Sequence, residues 1–261
     1  MPAAGASTAV STSREARLPR PPLLELSRIA LFADLDGTLA PLEATPDSVG
    51  PDAGRRRLLE ALLRALSGRL AVVSGRALGD VDRVLEGRIR AVGAVHGLVR
   101  RSARGVVTGP LGEGRIGAAK EGFLSFARTD DKLLVEDKGP AVALHFRGAP
   151  QAGPACMDLA SRLAPKLGLT VQKGDMVVEL RRPGPDKGGA VEAFLGEPPF
   201  AGFTPVFLGD DLTDEAGFRA VRKHGGFGVI VGGRRPSAAL YALDDVDAAQ
   251  AWLRAGIEAA Q

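Results

Sequence analysis

The chain has 261 residues, 45% hydrophobic and 25% charged, which suits a globular protein able to bury a proper core as one domain or as a core with an insert. Its 34 basic and 31 acidic residues leave a net charge of +3 with no dense Lys/Arg block interleaved with aromatics, so no nucleic-acid partner is expected. A single cysteine, Cys156, excludes an intrachain disulfide. No apolar stretch is long enough to cross a bilayer or to make a secretory core, and the expectation is a cytoplasmic protein with no membrane partner.

In chain order, the Ala/Ser/Thr/Pro-rich start reads as a flexible tail over 1–26. Ile29-Ala30-Leu31-Phe32-Ala33 is a short apolar run, the signature of a buried strand, and ends on Asp34-Leu35-Asp36-Gly37-Thr38. Leu58, Leu59, Leu62, Leu63 and Leu66 recur at helical spacing near 52–67, and Leu70 to Val73 forms a second strand ending at Ser74-Gly75-Arg76. Another helix over about 77–86 precedes a third strand, Ile89 to Val95, with His96-Gly97 at its mouth. This alternation predicts parallel βαβ units.

The middle of the chain changes character. Val106-Val107, Leu133 to Val135, Ala141 to Phe146 and Met176 to Leu180 read as strands of a smaller sheet, separated by helical patterns near 116–127 and 152–167. Alternation of Val142, Leu144 and Phe146 implies that one face of that sheet is covered, and leaves the direction of His145 open. From Lys187-Gly188 the βαβ pattern resumes: a helix over 187–195, the strand Pro205 to Leu208, then Gly209-Asp210-Asp211-Leu212-Thr213-Asp214-Glu215, a helix near 213–223, a strand at 227–231 and a terminal helix within 247–258. The expected organisation is therefore an α/β core over 27–104 and 184–261, with a mainly parallel sheet flanked by helices. An inserted smaller α+β cap covers 105–183, with Gly105 and Gly184 as candidate hinges.

Two acidic loops thus follow buried strands, at the edge where open α/β sheets hold their ligands. Asp36-Gly37 alone is an ordinary turn and Asp210-Asp211 alone an exposed acidic pair; their joint order after strands argues for chemistry. Carboxylates, a backbone carbonyl and water suit octahedral magnesium, whereas His96, His145, His224 and Cys156 are too few and scattered for zinc. Phosphoryl transfer on Mg2+ is the first reading.

The order of these signals resembles the haloacid dehalogenase-type (HAD) phosphatases, and specifically the trehalose-6-phosphate phosphatase family. The resemblance implies a Rossmann-like core with a C2-type cap, and hydrolysis of trehalose 6-phosphate to trehalose and phosphate. It implies Asp34 as nucleophile, forming an aspartyl phosphate, and Asp36 as general acid and then base. Ser74, Gly75 and Lys187 would bind phosphate, and Asp34, the Asp36 backbone carbonyl and Asp210 would hold Mg2+. Asp211 and Asp214 form a supporting acidic loop, while Thr213 is a candidate cap for the next helix. Glu136-Asp137-Lys138-Gly139 and Glu179-Leu180-Arg181-Arg182-Pro183 are similar to the family's cap signatures. This implies sugar contacts from Glu136, Lys138, Glu179 and Arg181, helped by His96. Gly174, before the second cap strand, is followed by Asp175, where the family often has a basic residue.

Gly112-Glu113-Gly114-Arg115-Ile116-Gly117 formally matches a dinucleotide fingerprint but follows almost no strand, and is read as a turn entering a helix. Gly232-Gly233-Arg234-Arg235 reads as a solvated turn. The expected partner is a small-molecule sugar phosphate, with no obligate protein partner and a monomer or weak oligomer. The alternatives are a phosphatase for another sugar phosphate, such as a sucrose or mannosyl conjugate, a phosphomutase, or a non-enzymatic sugar-phosphate binding protein.

Overall fold

A computed structural model describes residues 18–43, 45–110, 114–233 and 236–260. The parallel strands of the larger sheet are almost wholly apolar, as a sheet covered on both faces requires. The first strands and helices are β1 (Ile29–Ala33), α1 (Ala53–Ala65), β2 (Leu70–Val73), α2 (Leu78–Leu85), β3 (Ala91–Ala94), β4 (Val99–Arg101) and β5 (Val107–Thr108). The middle contributes α3 (Gly114–Ala127), β6 (Leu134–Asp137), β7 (Ala141–His145), α4 (Gly153–Leu167), β8 (Thr170–Gly174) and β9 (Val177–Arg181). The last stretch holds α5 (Lys187–Leu195), β10 (Thr204–Gly209), α6 (Glu215–Lys223), β11 (Phe227–Val231), β12 (Tyr241–Leu243) and α7 (Val246–Glu258).

The larger sheet has eight strands in the order β12-β11-β10-β1-β2-β3-β4-β5. It is parallel from β12 to β3 and antiparallel for β4 and β5. On one face Leu31, Val72 and Val206 pack against Leu58, Leu59 and Leu62 of α1 and Trp252 and Leu253 of α7. On the other, Phe32, Ala71 and Phe207 meet Val191 and Phe194 of α5 and Phe218 and Val221 of α6. The strand ends of β1 and β10 are central and adjacent, with the Asp34 amide donating to Leu208 O at 2.9 Å, so the two acidic loops emerge side by side.

The second sheet is antiparallel, β6-β7-β9-β8, with α3 and α4 on one face. Val142, Leu144, Val178 and Leu180 point to the helices, where Phe123, Cys156 and Ala160 complete a separate core. Period-two alternation turns the neighbouring residues to the open face. There Glu136, Ala143, Glu179 and Gln172 line up across the four strands in register.

Three sequence expectations need correction. Val106-Val107 does not join the smaller sheet: β5 pairs with β4 at the edge of the larger one, and Gly105 (φ +88°) sits in the turn between them, away from any crossing between sheets. Within the expected tail, residues 18–26 pack on the core: Leu24 and Leu26 are buried, Pro19 O accepts from the Ala242 amide at 2.9 Å, and Pro22 O accepts from Trp252 Nε1 at 2.8 Å. Residues 1–17 lie outside the described residues, as do Gly112, Glu113, Arg234 and Arg235 of the two discounted glycine motifs. Thr213 does not cap α6; Asp211 and Asp214 form a reciprocal capping box at the short turn before it. No helix among the described residues is long and apolar enough to cross a membrane.

Candidate active site

The strand-end loops and the open face of the small sheet enclose a cavity of about 460 Å³. Its lining includes Asp34, Asp36, Ser74, Gly75, His96, Asp210 and Lys187 from the strand-end side and Glu136, Lys138 and Glu179 from the small sheet.

Asp34 begins the loop after β1 and is 5% exposed. Lys187, the first residue of α5, is 1% exposed and points back at it, Nζ lying 3.1 Å from Asp34 Oδ1, an ion pair that does not meet hydrogen-bond geometry. The same ammonium donates to Asp214 Oδ1 at 2.6 Å. Asp214 is fully buried, and its Oδ2 accepts from the amides of Asp210 and Asp211 at 3.0 and 2.9 Å. Asp214 is thereby used up in holding Lys187 and the acidic loop, while Asp210 faces the cavity. Gly37 has φ +75°, and a Cβ there would meet Asp210 Oδ2 at 2.1 Å, so glycine is what lets the two loops touch.

One carboxylate oxygen each of Asp34, Asp210 and Asp214 lies within 4.8 Å of the others. Burial, the largest effect, pushes the Asp34 carboxyl well above the usual carboxylate range, and Asp214 and Asp210 add to it against the pull of Lys187. Burial and Asp214 likewise push Asp210 up to about 7. Lys187 is held above the ordinary lysine range; burial opposes its charge, but Asp214 and Asp34 outweigh it. Crowded oxygen donors with surplus negative charge, one of them a buried oxygen with no hydrogen-bond donor, fit a hard divalent cation.

Ser74 follows β2 and is buried, its Oγ accepting from the Arg76 amide at 3.2 Å. Gly75 is pressed against His96: a Cβ would come within 2.6 Å of the imidazole. Val95 and His96 both take positive φ, 48° and 55°, which is costly for a β-branched residue and marks a constrained mouth to β3.

Above the loops, Glu179 is 2% exposed, accepts from Lys138 Nζ at 2.9 Å and has His96 Nε2 at 3.6 Å. Burial alone would raise its carboxyl, but Lys138 and His96 hold it far below the usual range. Burial lowers His96 despite Glu179, whereas Lys138 is raised because Glu179 and Glu136 outweigh its burial. Glu136 Oε2 accepts from His145 Nε2 at 2.7 Å, and His145 and Lys138 together lower its carboxyl against the effect of burial. Glu179 Oε1 and His96 Nδ1 are buried without a partner in the protein, as polar groups shaped for a hydroxylated ligand would be.

Most of the expected residues therefore converge. Arg181 does not: it is 4% exposed, lies outside the cavity lining and donates through Nη2 to Pro185 O at the crossing into α5. Sequence reasoning gave no role to Arg76, whose Nε and Nη2 donate to Asp36 Oδ2 and Oδ1, both at 2.7 Å. It also left out His145, Gln172 and Arg147, which line the cavity, and Arg147 Nη2 donates to Asp175 Oδ2 at 2.7 Å. The alternation that covers Val142 and Leu144 was the available signal for His145, which must face the other way.

The trehalose-phosphatase family model matches residues 32–247. The chain belongs to this family. It is 37% identical over 229 residues to a probable trehalose-phosphate phosphatase of Sinorhizobium fredii, covering 87% of this chain and 86% of that one. It is 40% identical over 215 residues to a trehalose-6-phosphate phosphatase of Escherichia coli, covering 80% and 79%. Among solved structures it is similar to a trehalose-6-phosphate phosphatase related protein, at 27% identity and a TM-score of 0.73 over 86% of this chain and 95% of that one. Its fold is also that of a HAD-superfamily phosphatase from Bacteroides thetaiotaomicron, at 15% identity and a TM-score of 0.59 over 89% and 95%.

Proposed function

We propose that the protein is a Mg2+-dependent trehalose-6-phosphate phosphatase working through an aspartyl phosphate, with the four-stranded unit acting as a sugar-binding cap. The single observation that carries this is the meeting of Asp34, Lys187 and Asp210 on one wall of a cavity with Glu136, Lys138 and Glu179 on the other. Family membership supplies the substrate class.

Asp34 attacks phosphorus with a carboxylate oxygen while the bond from phosphorus to the sugar oxygen breaks, and Asp36 gives that oxygen its proton. Water then attacks the aspartyl phosphate and yields a proton to Asp36, and Asp34 leaves as the carboxylate. Ser74, the Gly75 amide and Lys187 bind the transferring group, with Lys187 also offsetting charge at Asp34. Asp34, Asp210 and the Asp36 carbonyl would hold Mg2+, which offsets charge on the phosphoryl oxygens. Asp214 positions Lys187 and the 210–211 backbone, and Asp211 supports it through the capping box. Glu179, Glu136 and Lys138 bind glucose hydroxyls, with His96 at the junction; Arg181 braces the return to the core. A cap that covers the site excludes water during transfer and reopens for product.

Release of inorganic phosphate from a panel of sugar phosphates, with Mg2+ and with chelator, tests this reading. Preference for trehalose 6-phosphate supports it. Mg2+-dependent turnover of another sugar phosphate would keep the chemistry and overturn the substrate, a reading to which the acidic Asp175 on the rim gives some footing. A cytoplasmic setting, and action as a monomer or weak oligomer on a small molecule alone, belong to the same proposal.

A further inference from the structure

Asp36 is gripped by both of its oxygens. Arg76 comes from the loop after β2, and its Nε and Nη2 each reach one Asp36 oxygen at 2.7 Å across 40 residues of sequence. The third guanidinium nitrogen, Nη1, donates to Pro46 O at 2.8 Å. The Arg76 side chain is 7% exposed and that of Asp36 26%; both line the cavity, and the carboxylate keeps the more open edge on it. Each guanidinium nitrogen makes one bond to the protein, so three of the five N–H donors are committed, two of them to Asp36.

We infer that Arg76 is a positioning residue for Asp36, setting the plane of its carboxylate so that the open edge meets the leaving-group oxygen and later the attacking water. The inference rests on the acid–base role given to Asp36 above. A planar fork fixes a carboxylate plane through two parallel charge-assisted bonds, which a point-charge ammonium does not do. Proton transfer is sensitive to that plane, because the donor or acceptor oxygen must lie within hydrogen-bond reach of the reacting atom. The fork also ties the loop after β2 to the loop after β1.

The test compares leaving groups. A sugar oxygen needs a proton as it departs; para-nitrophenolate does not. Arg76→Gln should lower kcat for trehalose 6-phosphate about 10–100-fold with KM changed less than about threefold, a fraction of a general acid–base contribution. First-turnover release of para-nitrophenolate from its phosphate ester should fall less than about threefold. Added to Asp36→Asn, the same substitution should cost under about twofold more, because both act through one group. A raised KM with kcat kept would make Arg76 a phosphate ligand. Equal losses for both leaving groups, or full additivity with Asp36→Asn, would make it a structural brace; each of these overturns the inference. Should Arg76→Gln fail to fold, Arg76→Lys keeps the charge, loses the fork, and is expected to show the same selective kcat loss. If Asp36→Asn itself treats the two leaving groups alike, the acid–base reading falls and takes this one with it. A selective Asp36→Asn beside an unselective Arg76→Gln overturns the Arg76 assignment alone.

Discussion

Replacing Asp210 with asparagine should make the metal-free protein more stable while removing its response to magnesium. Asp210 shares a 4.8 Å cluster with Asp34 and Asp214, and burial with Asp214's charge lifts its carboxyl to about 7. A carboxyl raised in the folded state binds its proton more tightly there than when unfolded. Its contribution is fully favourable below the unfolded value near 4 and is lost as pH rises through about 7. Charging this carboxyl at pH 8 therefore costs the fold on the order of 2 kcal/mol, after allowance for its partial exposure to water. For a chain of this size, Asp210→Asn should then raise the metal-free melting temperature by about 4–8 °C at pH 8, and by little at pH 4. Magnesium at about a hundred times its dissociation constant should stabilise the parent by about 2.7 kcal/mol and the variant by far less. Thermal melts of both proteins at the two pH values, with chelator and with magnesium, decide the matter. An Asp210→Asn variant that melts at or below the parent at pH 8 and still responds fully to magnesium would refute both the crowding argument and the ligand role.

Other substitutions probe the remaining contacts. Glu179→Gln should lower kcat/KM for trehalose 6-phosphate by about a hundredfold while leaving an aryl phosphate within about threefold, since it strips charge from a residue that only a sugar reaches; parallel assays of both substrates check this. Lys187→Met leaves Asp214 buried without its cation, and the urea midpoint should fall by an amount equivalent to about 3–5 kcal/mol at neutral pH. Gly75→Ala places a Cβ within 2.6 Å of the His96 ring, so activity on trehalose 6-phosphate should drop at least about tenfold with a stability cost near 1–3 kcal/mol, read by steady-state kinetics beside a melt. Asp34→Asn should abolish acid-stable phosphate labelling of the protein while the circular dichroism spectrum stays that of the parent.

The two acidic loops were legible because they sit where apolar runs stop: Ile29–Ala33 and Thr204–Gly209 announce strands without reference to any partner. The strands missed or misplaced are those whose existence depends on a neighbour. β4 is Val-Arg-Arg, half-buried, and exists only by pairing with β3; β5 has two exposed residues and is held by β4. The segment 18–26 looked like tail because its composition is poor in periodicity, yet Leu24 and Leu26 fill the core beside α7. Within the site, identities could be read and directions could not. Arg181 has the residue type for a ligand but its guanidinium turns to Pro185 O. Arg76 stood in a quoted motif, but a fork to a carboxylate 40 residues away leaves no mark in local spacing.

The two walls of the cavity carry different charge balances, and this explains how the work divides between them. Among the described residues the floor sets Asp34, Asp36, Asp210, Asp211 and Asp214 against Lys187 and Arg76, and both cations are already bonded to carboxylates. A phosphate dianion approaching such a floor meets net repulsion until a divalent cation joins the acidic cluster, so substrate binding there should require metal. The roof is nearly balanced: the carboxylates of Glu136, Glu179 and Asp175 face the cations Lys138 and Arg147, and each carboxylate is already bonded to one of these cations or to His145. A balanced roof of fixed donors and acceptors suits an uncharged sugar, because hydroxyls gain hydrogen bonds without forcing a charge to be desolvated. Magnesium should accordingly tighten binding of inorganic phosphate strongly, and binding of free trehalose hardly at all. Calorimetric titration of each ligand with and without the metal separates the walls. Equal magnesium dependence for both ligands would mean that floor and roof are not independent, and that the cap assembles only over an occupied metal site.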